Sequence, residues 1–376
     1  MRVLFLSDPL FTRHEREMIA RLAVGLADEG FRVAWGVPER IAQTLNEQVL
    51  TPVVPYIERR LGLSPARRAG VLRDAASAVL GGDPDIVHFF GGGVSRLGAE
   101  TARLAGALPA IEVWRPGLEG TIRLVINRVY GGAVGSERGA RALLVVPTDG
   151  LRDKLNAAFP EAVARTIPWG VYPSDRQQED DDGTLCMVLL GPGRDGRSWQ
   201  AAFRAAVRSL RASDRLHLFA DAETTRRLRL WSVARQAGVL GQLSLLDEAA
   251  TTRELMLRAD LVLQPDARGE TRTILLDAMA AGAAVLAAAD PRSDLLVDGS
   301  TARLVVDQTE QQWHESIEML VHDSGLRRRM TESARGLVRE QHRASRQILS
   351  LVDAYEWIGG DAERIEAPSV LGPDGP

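Results

Sequence analysis

The sequence predicts an α/β protein made of two doubly wound, largely parallel sheets, one in each half of the chain. Three observations predict it. Short apolar runs alternate with stretches of helical period in both halves, the pattern of strand and crossover helix. Between the two series, Ile167 to Ser174 and the acidic run Glu179 to Asp182 read as an exposed linker of proline, glycine and charge. The third is size: 376 residues exceed one ordinary core, and 45% hydrophobic with 26% charged residues suits two packed domains.

Taken in order, Val3 to Leu6 make a first strand. His14 to Glu29 follow as a helix with Ile19, Leu22, Ala23 and Leu26 on one face, and Gly30 stops it. Phe31 to Trp35 are a second strand, and the alternation continues through helix Ser64 to Leu80, strand Ile86 to Phe89, helix Ser95 to Ala105, and strands Ile111 to Val113 and Ala142 to Val146. The second series begins with strand Leu185 to Leu190 and helix Trp199 to Leu210. Strand Leu216 to Phe219, helix Thr224 to Ala237, strand Leu243 to Leu245 and a helix near Thr252 to Leu257 come next. A βαβ unit closes it: strand Leu261 to Leu263 ends at Pro265, which cannot donate to a ladder. Thr271 or Thr273 can cap a helix bearing Ile274, Leu275, Ala278 and Met279, Gly282 stops that helix, and Ala284 to Ala288 return as a strand. The N-terminus of this helix is open to an anion. After Thr331 an arginine-rich helical region runs to about Trp357. The expected division is an N-terminal domain at 1–166, a linker at 167–184, a C-terminal domain at 185–343, a helix at 344–358 returning to the first domain, and a disordered tail at 359–376.

A formal charge of −4 spread along the chain gives no electrostatic footprint for nucleic acid. Lys154 is the only lysine, so phosphate recognition elsewhere falls to arginine. Cys186 is alone and can form no intrachain disulfide, which favours a reducing compartment. The apolar start, Val3 to Leu6, is short for a signal peptide, and Ala278 to Ala289 falls short of the roughly 20 residues that span a bilayer. A cytoplasmic location is therefore expected. The aspartates Asp180 to Asp182 read as a solvated linker run rather than a metal site.

The segments Asp83-Pro-Asp-Ile-Val-His88, Ile167-Pro-Trp-Gly-Val171 and Ala259 through Gly299 resemble the two-domain glycosyltransferases of the B fold, and within them the retaining family 4 group. The resemblance spans about Val3 to Trp357. It implies two Rossmann-like domains facing across a cleft (the GT-B architecture), with a hydroxyl acceptor on the N-terminal side and a nucleoside diphosphate sugar on the C-terminal side. It implies no metal and no cofactor beyond that co-substrate. Family members carry two glutamates eight residues apart, at the donor sugar and at the ribose; Gly269 and Asp277 hold those positions here. Asp277 can still accept ribose hydroxyls. Glu270 stands beside the lost carboxylate and is the first catalytic candidate. Backbone amides from Gly269 through Thr271 to Arg272 can hold phosphate or sugar oxygens at the helix mouth.

In Leu190-Gly-Pro-Gly-Arg-Asp-Gly-Arg197 the family's diphosphate arginine is replaced by Pro192 and its lysine by Arg197, with Arg194 between them as a further phosphate candidate. His88 matches the family's Asp-x-Val-His and is the second catalytic candidate. On the acceptor side stand His14, the glycines Gly91 and Gly92, and Arg115, the last in the Trp114-Arg115 pair where family members carry a histidine. Relatives that use lipid acceptors touch anionic membranes through basic helices. Region 57–80 resembles them, with Arg59, Arg60, Arg67, Arg68 and Arg73 around an apolar face of Val71, Leu72, Ala75, Val79 and Leu80. That would make the protein peripheral on the inner face of the membrane. The departures at Gly269, Pro192 and Trp114, and the missing N-terminal glycine pair, keep an alternative open: a catalytically inactive relative that binds nucleotide-sugar or serves as a scaffold. Sugar-nucleotide epimerisation on the same fold needs further acid/base groups that the sequence does not show.

Overall fold

The computed structural model describes residues 1–58, 64–130, 142–174, 183–189, 191, 193–246, 254–266, 272–290 and 293–360. Its first sheet contains β1 (Arg2–Ser7), β2 (Arg32–Pro38), β3 (Val53–Tyr56), β4 (Ile86–Phe90), β5 (Leu108–Glu112), β6 (Ala142–Val146) and β7 (Ala162–Thr166) in the order 3-2-1-4-5-6-7. The second contains β8 (Leu185–Leu189), β9 (Leu216–Asp221), β10 (Leu243–Leu246), β11 (Leu261–Gln264), β12 (Ala284–Ala288) and β13 (Arg303–Val305) in the order 10-9-8-11-12-13. Every pairing is parallel. Central strands are therefore covered on both faces by helices, which is why β4, β6 and β12 are buried at every residue.

Each sheet reverses its strand order once, between β1 and β4 and between β8 and β11. The carboxyl ends of those strands border the crevice where open α/β sheets bind ligands. Capping chemistry sets the helices around them. The first helix runs Pro9–Asp28, starting earlier than expected because Asp8 accepts from Phe11 N at 2.8 Å and Pro9 occupies the first turn. Thr273 is not a cap: it opens the helix Thr273–Ala281, with Arg272 at the cap position and no side-chain cap bond. Gly282 stops this helix in the left-handed region at φ 86°. The helix expected over Thr224–Ala237 is two, Ala222–Arg227 and Trp231–Ala237, parted by Arg229 at φ 56°. The arginine-rich C-terminal region is likewise two helices, Ser324–Gln341 and Ala344–Gly359. Part of the segment near Thr252–Leu257, the whole acidic run Glu179 to Asp182 and the tail from residue 361 lie outside the described residues.

The chain crosses between the sheets twice, and the crossings are clasped together. Val171 N donates to His342 O at 2.8 Å and Ala344 N to Val171 O at 3.0 Å. Gly170 N donates to Gln347 Oε1 at 2.9 Å, while the Arg21 guanidinium donates to Gly170 O. A Cβ on Gly170 would lie 2.3 Å from Arg343 O, so only glycine fits the crossing. The last helix, Ala344–Gly359, then lies on the N-terminal domain: Ile348 faces Gly25, and Tyr355 is fully buried against Phe31 and His88.

Candidate functional site

A carboxylate fills the switch point of each sheet. In the N-terminal domain Asp8, following β1, accepts from Gly93 N at 3.0 Å as well as capping its own helix. Gly91 takes φ 96° to let the loop pass, and a Cβ there would lie 2.2 Å from Asp8 Oδ2. In the C-terminal domain Asp266, following β11, accepts from Gly193 N at 3.1 Å and Asp195 N at 3.0 Å. Those are amides of the glycine-rich loop after β8. Burial raises the Asp266 carboxyl above its ordinary range, against the pull of those two amides and of Arg272. Asp195 in turn caps the helix Gly196–Ala212 through Arg197 N and Ser198 N, at 3.2 and 3.1 Å.

Across the cleft the two domains meet at the mouth of the Thr273–Ala281 helix. Glu15, from the first helix, accepts from Arg272 Nε at 2.7 Å and Thr273 N at 3.2 Å, and from the Thr273 hydroxyl. Both charged side chains are buried, at 3% and 9% exposure for Glu15 and Arg272. Beside them, the Arg115 and Arg194 guanidiniums lie 5.1 and 5.2 Å from the Trp114 ring centroid. His14 lines the same contact; burial, then the charges of Arg272, Arg13 and Arg194, push its imidazole down to about 3. His14 is therefore neutral at ordinary pH. Arg13 adds a cross-domain ion pair to Glu223, with Asp221 at 3.8 Å.

Next to this contact is a cavity of about 610 Å³ with walls from both domains. Thr148, Asp149 and Lys154 border it on one side, and Gln264, Asp266, Arg272 and Asp290 on the other. Its size is that of a small-molecule site, and its polar walls come from the carboxyl ends of β6, β11 and β12.

Residues 205–337 match the family described as glycosyl transferases group 1. No curated protein sequence matches the chain. Among solved structures the chain is similar to HepE of Anabaena in complex with UDP and glucose, at 16% identity and TM-score 0.70 over 95% of this chain and 99% of that one. Sucrose-phosphate synthase from Thermosynechococcus elongatus is similar at 12% identity and TM-score 0.69, again over 95% and 99%. The glycosyltransferase WaaG, involved in lipopolysaccharide biosynthesis, follows at 17% identity and TM-score 0.62 over 96% and 100%. The chain has the GT-B fold.

The GT-B cleft brings together some of the residues singled out in the sequence and separates others. His14 and Arg194 share the cross-domain contact, with Arg115 against Trp114 at its edge. Arg197 is exposed at its helix mouth, and Asp277 is buried (8% exposed) one turn along the Thr273–Ala281 helix. Glu270, Gly269 and Thr271 lie outside the described residues, as does Pro192. His88, the second catalytic candidate, lies inside the N-terminal domain. It is fully buried, with Nδ1 2.5 Å from Tyr355 OH and Nε2 3.2 Å from Glu112 Oε2, and Glu112 also accepts from Trp169 Nε1 at 2.5 Å. No face of His88 meets the cleft. Gly91 makes its close approach to Asp8 rather than to open space, and Gly92 meets only Thr121 Oγ1, at 3.6 Å.

Sequence reasoning missed Glu15, Asp266, the Thr148–Lys154 wall and the side chain of Arg272, of which it had read only the backbone amide. Asp266 and Thr148 carried a usable signal, a polar residue just beyond an apolar strand. Glu15 carried none, because its partners lie more than 250 residues away. The expected apolar face of the Pro65–Leu80 helix is also split: Leu72 and Leu80 are buried on the sheet, while Val71 and Val79 are exposed at 55% and 47%. Arg59 and Arg60 lie outside the described residues. No described helix is long and apolar enough to cross a membrane, and the described residues hold no cluster of three metal-ligating side chains.

Proposed function

We propose that the protein is a retaining glycosyltransferase that holds a nucleoside diphosphate sugar across the cleft and moves the sugar to a hydroxyl acceptor. The observation that carries this reading is the cross-domain cavity, placed beside a helix N-terminus and the Arg194 and Arg272 guanidiniums. Helix-end amides and arginines suit a diphosphate, whose charge grows as the sugar–oxygen bond breaks, so their stabilisation increases toward the transition state. Arg194 and Arg197 would hold that diphosphate and Asp277 the ribose. Glu270 remains the candidate carboxylate for the sugar. On this reading the guanidiniums and amides supply the positive charge, and no metal is called for. HepE, solved with UDP and with UDP-glucose, supports a nucleotide-sugar as the ligand class. For a lipid-linked acceptor, the exposed Val71 and Val79 beside Arg67 would give a peripheral membrane contact.

One observation favours a second reading, a nucleotide-sugar binding protein without transfer. The glycine-rich loop amides already serve Asp266, and the helix mouth already serves Glu15. Incubation with UDP-, GDP- and ADP-sugars, with and without a panel of hydroxyl acceptors, separates the two. Release of nucleoside diphosphate that depends on an acceptor supports transfer. Binding without release supports the second reading, and failure to bind any of the donors would sink both.

A further inference from the structure

We infer that Glu15 is an internal competitor for the donor diphosphate: a carboxylate of the N-terminal domain that fills the anion seat of the C-terminal domain until a nucleotide displaces it. The inference rests on the donor site proposed above and adds the residue that sets its affinity.

Glu15 engages the donors a phosphate group would take. Its oxygens accept from the Arg272 guanidinium, from Thr273 N, the first amide of a nine-residue helix, and from the Thr273 hydroxyl. The side chain is held there by the backbone: the Pro9–Asp28 helix leaves helical dihedrals at Glu15 itself, with φ −124° and ψ 22°. Only about 30 Å³ of free space remains among Asp8, His14, Glu15, Trp114, Arg194 and Arg272. That volume admits a water and no larger group, so the seat is full while Glu15 occupies it.

One polar group of this contact is left without a partner. The Trp114 indole N–H is buried in the same contact with no hydrogen-bond partner, and Trp114 itself is 7% exposed. A diphosphate brings more acceptor oxygens and more negative charge than one carboxylate, so it can replace Glu15 at both Arg272 and the helix amide. Because Glu15 and Arg272 belong to different domains, exchanging the carboxylate for a diphosphate also releases a contact between them.

The test is calorimetric titration of the full chain and its Glu15→Gln variant with pyrophosphate, with UDP, GDP and ADP, and with the matching nucleosides. Glutamine keeps the shape and removes the charge. The variant should bind pyrophosphate and its preferred nucleoside diphosphate roughly ten- to a hundredfold more tightly, as expected when a charge-assisted competitor is lost, with nucleoside affinity unchanged. Equal or weaker diphosphate binding by the variant overturns the inference. If pyrophosphate binding tightens while neither protein binds any nucleotide, Glu15 keeps its role and the donor reading fails. If nucleotides bind both proteins equally, the donor reading stands and Glu15 loses its role; no binding of anything removes both. Should Glu15→Gln fail to fold by circular dichroism, Glu15→Asp, one methylene too short to reach both partners, should shift affinity in the same direction by less.

Discussion

His14 shows how strongly the closed cleft acts on a single side chain. An unperturbed imidazole takes up its proton near pH 6.5, whereas His14 resists protonation down to about 3 because it is half-buried and lies near the charges of Arg272, Arg13 and Arg194. Between those values the unfolded chain binds a proton that the folded chain refuses. The contribution of His14 is therefore complete above about pH 6.5 and declines as the pH falls toward 3, by at most about 1.4 kcal/mol per pH unit. Thermal melting from pH 7 to 4 should fall less steeply for His14→Phe than for the parent. Parallel curves would contradict the placement of the ring near three guanidiniums. His217 and His342 are also lowered, chiefly by burial, so a residual slope is expected in the variant.

The strand–helix units were legible because their physics is local. The Leu261–Gln264 strand, Gly282 stop and Ala284–Ala288 strand all follow from apolar runs and punctuation read within one continuous segment, Leu261 to Ala288. Errors came where a distant group decides. The three glycines after β4 read as a loop that brings backbone close to a ligand; two of them, Gly91 and Gly93, lie against Asp8 from the adjacent strand end. Gly91→Ala tests this directly. The φ of 96° and the 2.2 Å approach to Asp8 Oδ2 should lower stability by about 2 kcal/mol in urea unfolding, whereas Gly92→Ala, which has room, should cost well under 1 kcal/mol. Equal effects would mean that the turn does not depend on Asp8. The early start of the first helix was readable in hindsight from Asp8-Pro9, a cap followed by a proline at the first helical position.

For the whole molecule, the sequence resemblance carried the two-domain architecture, while the cleft came only from the fold. Thr148 and Asp290 border one cavity across 142 residues of sequence, and Glu15 reaches Arg272 across 257. No periodicity records such juxtapositions. The same is true of the return of the last helix, where Tyr355 OH meets His88 Nδ1 at 2.5 Å deep in the N-terminal domain. Tyr355→Phe leaves that buried nitrogen without its partner and should cost about 1 to 3 kcal/mol in denaturant unfolding. No loss would show that the helix is held by apolar packing alone.

The central claim is that a nucleoside diphosphate sits where the two domains meet at the Thr273–Ala281 helix. Hydrogen–deuterium exchange, with and without saturating nucleoside diphosphate, tests it most directly. Exchange should slow at residues 193–198 and 272–277, whose amides stand at the glycine-rich loop and the helix mouth, and change at the same time in the first helix around Glu15, whose carboxylate the ligand displaces. Protection confined to other surfaces, or no change in these three segments under saturation, would contradict it.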